Sequence, residues 1–298
     1  MSHIREGNRA ATAVIYLIVA ILGFLCLYPM YYVLILSLSE PMAAVTMRVY
    51  WFPKGFYLGT YQMLLKDREM WGAYRNTLMY VASTTAIMLV TSVLGAFPLT
   101  YKKLIGRKYV NMFLLIPMYI GGGLIPSFIL ITRLGLYGSP LAIIVPSCFS
   151  IWNIILVKSY FNTIPDSLYE AACIDGANNY KILFNIYLPA SVPILAVIAV
   201  YTVVGVWNSW FSALVYLPVK TWQPLQMYLR RILVMMQSMD TSAGNMGADV
   251  AAEIIKMRLS ALQIRYSMII FTTLPVIFSY PFFQKYFVKG IMLGSLKE

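Results

Sequence analysis

Few side chains in this sequence have the types and spacing that chemistry needs, and those few are gathered in one polar segment. Residues 162–189 lie between two long apolar stretches and hold three of the chain's eleven acidic residues, Asp166, Glu170 and Asp175. The single histidine, His3, lies in a polar N-terminal tail, and the three cysteines show no CxxC or Cys/His spacing. Such a set offers neither a nucleophile beside a base nor a metal-ligand cluster. We therefore expect no catalytic residue and no metal site.

Local signals in the first half of the polar segment predict a short helix that ends in a tight turn. Pro165 stops the preceding stretch and presets the entry to this helix. Ser167 and Glu170 have the spacing of a capping box, in which each side chain satisfies a free backbone N–H group of the first turn. The helix is brief because Asp175-Gly176 is a turn dipeptide, and glycine tolerates positive φ.

The second half predicts another short helix, from about residue 178 to residue 187, ending at Pro189 before the next apolar stretch. Two short helices at an angle form a compact knob. A knob held between two membrane spans would pass rigid-body motion to both of them, so we expect a docking element for a partner protein. The alternative is an ordinary turn at the membrane interface.

The elements that carry this knob are membrane spans. Only 11% of the 298 residues are charged, whereas soluble domains carry about 25%. The net charge of +12 would suggest nucleic acid for a soluble chain. Beside membrane spans, however, basic residues face anionic headgroups and set the orientation of the chain. We therefore expect contact with membrane lipid and none with nucleic acid.

Six stretches are long enough to cross the hydrocarbon core and contain no Asp, Glu, Lys, Arg or His. They lie at about Ala13–Leu38, Thr77–Leu99, Tyr109–Thr132, Tyr137–Val157, Ala190–Ala213 and Tyr266–Phe283. In the third stretch, Gly121-Gly122-Gly123 marks close packing or a local break. The predicted fold class is all-α, a polytopic membrane protein with six transmembrane helices in a single domain, residues 1–298.

One short loop decides the predicted orientation. Basic residues divide almost evenly between the two sides, but Tyr101–Lys108 packs four of them between two spans. Short loops carry most of the positive-inside signal. We therefore place this loop, both termini and the polar segment 162–189 in the cytoplasm, with two long outer loops at about residues 39–76 and 214–265.

The outer loop 214–265 predicts an amphipathic helix that lies on the membrane or on a partner subunit. Pro224 would open this helix, and Arg230 and Arg231 fall off its apolar stripe. The stripe comprises Leu225, Tyr228, Leu229, Ile232 and Met236.

Aromatic and amide side chains in the spans are candidates for a substrate pathway, because rings stack on sugar faces and amides bond hydroxyl groups. These candidates are Trp152, Asn153, Trp207, Asn208 and Trp210. Helix packing is the alternative role for all of them. The basic outer loops would suit an anionic sugar such as a uronate, and equally lipid headgroups or an acidic binding protein.

The sequence EAACIDGANNYKILFNIYLP, residues 170–189, resembles the EAA loop of binding-protein-dependent ABC importer permeases. That pattern is EAA, a glycine after three further residues, and Ile/Leu-x-Leu-Pro about nine residues on. The matching positions are Glu170, Ala171, Ala172, Asp175, Gly176, Ala177, Phe184, Ile186, Leu188 and Pro189. WNSWFSALVYL (residues 207–217) and FPKGF (residues 52–56) also look like stretches of sugar permeases, although Ser209 replaces an acidic residue common there.

The resemblance implies the type I ABC importer permease fold of the carbohydrate (MalG-like) type. It is closest to importers of oligosaccharides and polysaccharide fragments, including the smaller permease of bacterial alginate importers. In that family the EAA loop is the coupling helix that docks into a cleft on the ATPase subunit. The implied partners, in a bacterial inner membrane, are a second homologous permease that completes a heterodimer, two ATP-binding cassette subunits and an extracytoplasmic solute-binding protein.

No P-loop pattern GxxxxGK[ST] occurs in the sequence. We therefore expect no cofactor in this chain and no enzymatic activity, with ATP and Mg²⁺ bound by the partner ATPase subunits. The alternative function is an ion-coupled secondary transporter. Proton coupling usually needs an ionisable residue at membrane depth, and the six stretches contain none.

Overall fold

The computed structural model describes residues 9–46, 49–102, 104–242, 262–279 and 281. Within these ranges the regular secondary structure is helical. No strand occurs within these ranges, so the predicted all-α class is confirmed. The first seven helices are α1 (Arg9–Ser37), α2 (Pro41–Val45), α3 (Gly59–Lys66), α4 (Arg68–Thr100), α5 (Arg107–Tyr119), α6 (Leu124–Arg133) and α7 (Leu141–Ser147).

The second half of the chain continues the helical series. Its members are α8 (Ile151–Phe161), α9 (Asp166–Ile174), α10 (Asn179–Ile182), a π-helical turn (Leu183–Tyr187), α11 (Leu188–Ala190), α12 (Val192–Trp207), α13 (Phe211–Tyr216), a 3₁₀ turn (Lys220–Trp222), α14 (Leu225–Ser242) and α15 (Leu262–Ser279).

Four helical segments are long and apolar enough to cross a membrane, and two bent pairs raise the number to six if each pair is one span. The four are Thr12–Ser37, Arg68–Thr100, Leu141–Phe161 and Leu262–Ser279. The bent pairs are α5 with α6 and Asn179–Ala190 with α12. This arrangement is consistent with the six predicted spans.

The second span begins earlier than predicted. Its helix, α4, starts at Arg68 rather than at Thr77 and runs for 33 residues, which corresponds to about 50 Å. The hydrocarbon core is only about 30 Å thick, so a helix of this length projects beyond it. Arg68, Glu69 and Arg75 lie on the projecting turns, where water can solvate their charges. The last part of the predicted outer loop 39–76 is therefore helix.

The third and fifth predicted spans are broken rather than straight. α5 and α6 meet at an angle of 110° across the three glycines, where Gly123 has a φ of +81° that side chains disfavour. The Asn179–Ala190 segment and α12 meet at 74°. At its far end the predicted fifth span, Ala190–Ala213, stops at Trp207, because Asn208 caps α12 and a short loop precedes α13.

The described chain groups into two compact units. In the unit formed by Met1–Asp67 and Arg231–Thr273, the end of α1 packs with α2 and with Tyr266 of α15. Buried polar groups hold the same region together: the Ser37 hydroxyl lies 2.7 Å from that of Tyr61, and the Gln263 amide donates to the carbonyl of Ser39. Most of α1 outside this cluster is apolar and exposed, as a membrane-spanning helix requires.

The other unit, Arg68–Arg230 with Leu274–Glu298, contains the polar segment 162–189. Its largest buried cluster joins α4, α8 and α12 to that segment, through residues such as Leu99, Phe161 and Ile198. The prediction of one membrane domain stays a prediction.

Candidate functional site

The polar segment begins with a helix that starts two residues earlier than the capping box predicts. Pro165 occupies the cap position with extended ψ, and α9 runs from Asp166 to Ile174 without a side-chain cap. Ser167 therefore lies inside the first turn, and the predicted capping box with Glu170 is wrong. The carboxylate of Asp166, in the first turn, instead lies where it complements the helix dipole.

The end of α9 is the tight turn that the Asp-Gly dipeptide predicts. The amide of Gly176 donates to the carbonyl of Cys173 at 3.1 Å, and the amide of Ala177 donates to that of Ala172 at 2.9 Å. These two hydrogen bonds define a Schellman motif. Gly176 adopts the left-handed conformation that the motif needs, with φ of +73°. The turn directs the chain back toward the spans.

One face of the segment is locked into the core of its unit. Ala172, Ile182, Leu183 and Tyr187 are all buried there. The Tyr187 ring packs edge-on against two spans, with its centroid 5.3 Å from that of Phe97 on α4 and 5.1 Å from that of Phe161 on α8. The Phe97 and Phe161 rings also meet edge-on, at 6.4 Å. This aromatic triangle fastens the segment to both helices.

The opposite face presents apolar side chains to the outside. Ile174, the last residue of α9, is 87% exposed, and Tyr180 is 73% exposed. Leu168 and Phe184 are also largely exposed. Because exposed apolar patches often mark interaction sites, this face is a candidate docking surface.

The residues singled out by the EAA pattern divide between these two faces. Ala172 is buried, and Ala177, Ile186 and Leu188 are partly buried against the core. The remaining six are exposed: Glu170, Ala171, Asp175, Gly176, Phe184 and Pro189. The sequence did not single out Ile174 and Tyr180 as surface residues. The available signal was Ile174 itself, an isoleucine on the side of a short polar helix that faces away from the core.

The second half of the segment is more irregular than the predicted helix. The Asn178 side chain caps α10 by accepting from the amide of Lys181 at 2.9 Å. A π-helical turn follows, and helical structure continues through Pro189 as far as Ala190. Pro189 therefore does not end the helix. Proline removes one N–H donor, and a π-helical turn nearby accommodates such a loss; the break comes at Ser191.

A cavity of about 630 Å³ lies beside the segment. Its walls come from the end of α4, from Tyr101 and Lys102, and from α9, α10 and the π-helical turn. At its edge the Lys102 ammonium lies 2.5 Å from the Asp166 carboxylate, and both side chains are mostly exposed. Burial raises the pKa of the Tyr169 phenol, which lines the cavity, so this group stays neutral at physiological pH.

At the far end of α12, the candidate pathway residues have different surroundings. Trp207 is buried and meets the Tyr74 ring edge-on at 5.7 Å. Asn208 is exposed, and its amide nitrogen donates to the carbonyl of Val204 at 3.0 Å. Trp210 is 40% exposed and carries the guanidinium of Arg230 4.7 Å above its ring centroid.

The start of α14 is tied to the projecting end of α4. The side-chain amide of Asn76 donates to the backbone carbonyls of Thr221 and Gln223, and the Tyr80 hydroxyl donates to the backbone carbonyl of Trp222. The Thr77 hydroxyl accepts from the amide of Leu225, the first residue of α14. The predicted amphipathic helix thus begins where Pro224 indicated, and Leu225 and Tyr228 of its stripe are buried.

Trp152 and Asn153 lie in the same unit but not beside Trp207, Asn208 and Trp210 at the end of α12. They open α8, directly after the break at Cys148–Ser150, and the Asn153 amide is capped by the Ser150 hydroxyl at 3.3 Å. Trp152 is exposed. Ile154, the next residue of α8, packs in the same cluster as Ile198 in the first half of α12, whereas Trp207 ends that helix. Their joint role in one pathway stays a prediction.

Comparison with known proteins decides the family. Residues 89–293 match the family model described as binding-protein-dependent transport system inner membrane component. The chain belongs to this family. The predicted membership of the binding-protein-dependent ABC importer permeases is confirmed, and the matched region includes the whole polar segment.

Relatives of this permease align over nearly its whole length. The polygalacturonan/rhamnogalacturonan transport system permease protein YtcP of Bacillus subtilis (strain 168) is 32% identical over 292 residues, covering 97% of this chain and 99% of that protein. One chain in the crystal structure of a bacterial ABC transporter involved in the import of the acidic polysaccharide alginate superposes with a TM-score of 0.83. It is 30% identical and covers 95% of this chain and 98% of the other.

A second solved structure shares the fold at lower similarity. It is a chain of a bacterial alginate ABC transporter in complex with an alginate pentasaccharide-bound periplasmic protein, with a TM-score of 0.55 and 16% identity. That match covers 94% of this permease and 96% of the other chain. The predicted ABC permease fold is confirmed by both structures.

Proposed function

We propose that this chain is a transmembrane subunit of an ATP-driven importer that moves oligosaccharides or polysaccharide fragments into the cytoplasm. The observation that carries the proposal is the two-faced segment 162–189. Its buried face is fastened to α4, α8 and α12, and its other face exposes Ile174, Tyr180 and Phe184. A segment built in this way is suited to receive force from a partner and to pass it to the spans.

Membership of the family supports the proposed partners. Two ATP-binding cassette subunits would bind ATP and Mg²⁺, because this chain carries no P-loop pattern. A second homologous permease would complete the pathway, and an extracytoplasmic solute-binding protein would deliver the cargo. The alginate transporter that shares the fold was crystallised with a periplasmic protein, which supports the last of these partners.

Coupling in this proposal is mechanical. Closure of the ATPase dimer would move residues 162–189 together with the attached helices as a rigid unit, giving alternating access. The role of Glu170, Ala171, Asp175, Gly176 and Pro189 would be to shape the docking surface. Ala172, Ala177 and Leu188 would hold that surface to the core, and Phe184 would contact the ATPase.

The proposed orientation in the bacterial inner membrane places the polar segment and both termini in the cytoplasm. Lys102 in the short loop between α4 and α5 supports it, together with Arg107 and Lys108 in the first turn of α5, since positive charge favours the inner side. Lys102 pairs with Asp166 of the segment, so both elements lie at the same end of their unit.

The proposed cargo is acidic. The relative from Bacillus subtilis transports polygalacturonan and rhamnogalacturonan, and the transporter that shares the fold imports alginate. A uronate-containing chain carries one carboxylate on each uronate unit. The excess of basic over acidic residues, 23 against 11, is compatible with such a cargo.

Reconstitution of the complete transporter in proteoliposomes tests this function. We expect uptake of labelled oligogalacturonate that requires ATP, the ATPase and the solute-binding protein. Replacing Ile174 by Asp removes the burial of one large apolar side chain, worth about 1.5–3 kcal/mol, and should weaken capture of the ATPase roughly tenfold or more. Ile105→Asp is the matched control, because Ile105 is 96% exposed in the loop between α4 and α5.

Two results would contradict the proposal. Equal ATPase capture by the Ile174→Asp and Ile105→Asp variants would show that the segment does not dock. Uptake driven by a proton or sodium gradient without ATP would instead indicate the ion-coupled secondary transporter.

A further inference from the structure

The loop after α12 and the first turns of α14 bring together an indole, a guanidinium and two amides. Arg230 lies 4.7 Å over the centroid of the Trp210 ring. The Gln226 amide nitrogen lies 3.4 Å from the amide oxygen of Asn208. Gln226 and Arg230 are four residues apart and therefore share one face of α14. Two contacts thus align the same helix face with the same loop.

The guanidinium in this array has no acidic partner. Among the described residues Arg230 makes no ion pair, and the sequence from Trp207 to Arg230 contains neither Asp nor Glu. Stacking on an indole fixes the plane of a guanidinium while leaving its N–H groups available. Those N–H groups form a fork that matches a carboxylate in bidentate geometry.

The remaining groups suit a sugar. Trp210 keeps 40% of its surface exposed, so part of the ring remains available to stack on the apolar face of a pyranose. Asn208 is exposed and Gln226 is partly exposed, and amides both donate to and accept from hydroxyl groups. A guanidinium that binds a carboxylate, next to an indole ring and two amides, therefore matches the carboxylate, the ring face and the hydroxyl groups of one uronate unit.

The array also lies at the end of the unit away from the ATPase-docking segment. α12 runs for 16 residues from Val192, beside that segment, to Trp207, which corresponds to about 24 Å. In the proposed orientation, residues 208–230 therefore lie on the outer side, where cargo enters.

We propose that Trp210, Arg230, Asn208 and Gln226 form a binding site for a uronate unit of the incoming oligosaccharide. Arg230 binds the carboxylate, Trp210 stacks on the sugar ring, and the two amides bond its hydroxyl groups. This inference rests on the acidic cargo of the proposed function and adds the residues that recognise its charge.

The test compares acidic and neutral cargo in proteoliposomes that contain the complete transporter. The probes are oligogalacturonate and its methyl ester, which has the same sugar rings without the charge. Arg230→Gln should lower uptake of the acidic probe roughly tenfold to a hundredfold, the cost of losing one hydrogen-bonded charged partner. Uptake of the ester should fall much less, because its neutral carbonyl makes only a weaker hydrogen bond with Arg230. Lys220→Gln is the control, because Lys220 is an exposed cation at the same end of the unit.

The possible failures point to different errors. Unchanged acidic uptake by Arg230→Gln, with normal uptake by the wild-type transporter, overturns the site alone. Equal loss for both probes, together with lost stimulation of the ATPase by the solute-binding protein, assigns Arg230 to docking of that protein and overturns the site as well. A wild-type transporter that moves only the ester overturns both the site and the acidic cargo of the proposed function.

Discussion

The ring of Tyr187 meets the ring of Phe161 edge-on, with centroids 5.1 Å apart and planes at 80°. This contact joins the segment before α12 to the last residue of α8. Phe97 of α4 closes the triangle from a second span. Because packed cores switch between discrete arrangements rather than deform smoothly, displacement of the segment should displace both helices with it.

Replacing Tyr187 by Leu tests this linkage. The substitution removes two edge-to-face contacts, each worth about 0.5–1.5 kcal/mol beyond area burial, so thermal stability of the detergent-solubilised permease should fall. The looser attachment should also raise the number of ATP molecules hydrolysed per molecule transported. Tyr180→Leu is the control, since Tyr180 is exposed on the same segment. Identical unfolding temperatures and identical coupling ratios for the two variants would refute a special role for the triangle.

The parts of the segment that the sequence predicted are those specified locally. An Asp-Gly dipeptide needs only its own backbone to form a turn, and the Gly176 turn is where it was expected. The π-helical turn at Leu183–Tyr187 and the bend at Ser191 were not predicted. The sequence of residues 183–187 is typical of an ordinary helix. Their packing against Phe97 and Phe161 was not predictable, because these two residues belong to helices that are distant in the sequence.

The same distinction applies to the spans and to the outer site. Three consecutive glycines indicated close packing or a break in the third span, but an angle of 110° is a property of packing that composition does not encode. Arg230 and Trp210 are individually visible in the sequence. Their contact depends on the hydrogen bonds that tie residues 221–225 to Asn76 and Thr77 of α4, and these partners are far apart along the chain.

Gly176→Ala should destabilise the segment through backbone strain alone. The position has φ of +73° and no atom within 4 Å of an added Cβ, so the cost is the left-handed conformation, about 1–2 kcal/mol. Asn at this position should recover part of the loss, because asparagine tolerates that conformation. Gly72→Ala in α4 also meets open space but is helical, and it should be neutral or stabilising. Thermal unfolding measures all three variants, and a Gly176→Ala protein as stable as Gly72→Ala would contradict the Schellman assignment.

Thr77→Val should loosen the start of α14. Valine keeps the shape of threonine but leaves the buried amide of Leu225 without the acceptor that lies 2.8 Å from it. An unsatisfied buried donor costs about 1–3 kcal/mol. Hydrogen exchange at Leu225 should therefore accelerate. Thr132→Val serves as the control, since the exposed Thr132 hydroxyl bonds only within its own helix, to Phe128. Equal exchange rates at Leu225 in both variants would argue against the tie between α4 and α14.

The ion pair between Lys102 and Asp166 should contribute little, despite its short distance of 2.5 Å, because both side chains are about 70% exposed. Exposed pairs are typically worth about 0–1 kcal/mol and weaken as salt screens them. A double-mutant cycle with Lys102→Met, Asp166→Asn and the double variant compares their free energies of unfolding. It should give a coupling energy within this range, and that energy should decline as ionic strength rises. A larger, salt-independent coupling energy would show that the pair becomes buried in the working transporter. The edge of the cavity beside α9 would then belong to the docking surface, and the Lys102→Met variant should also capture the ATPase less well.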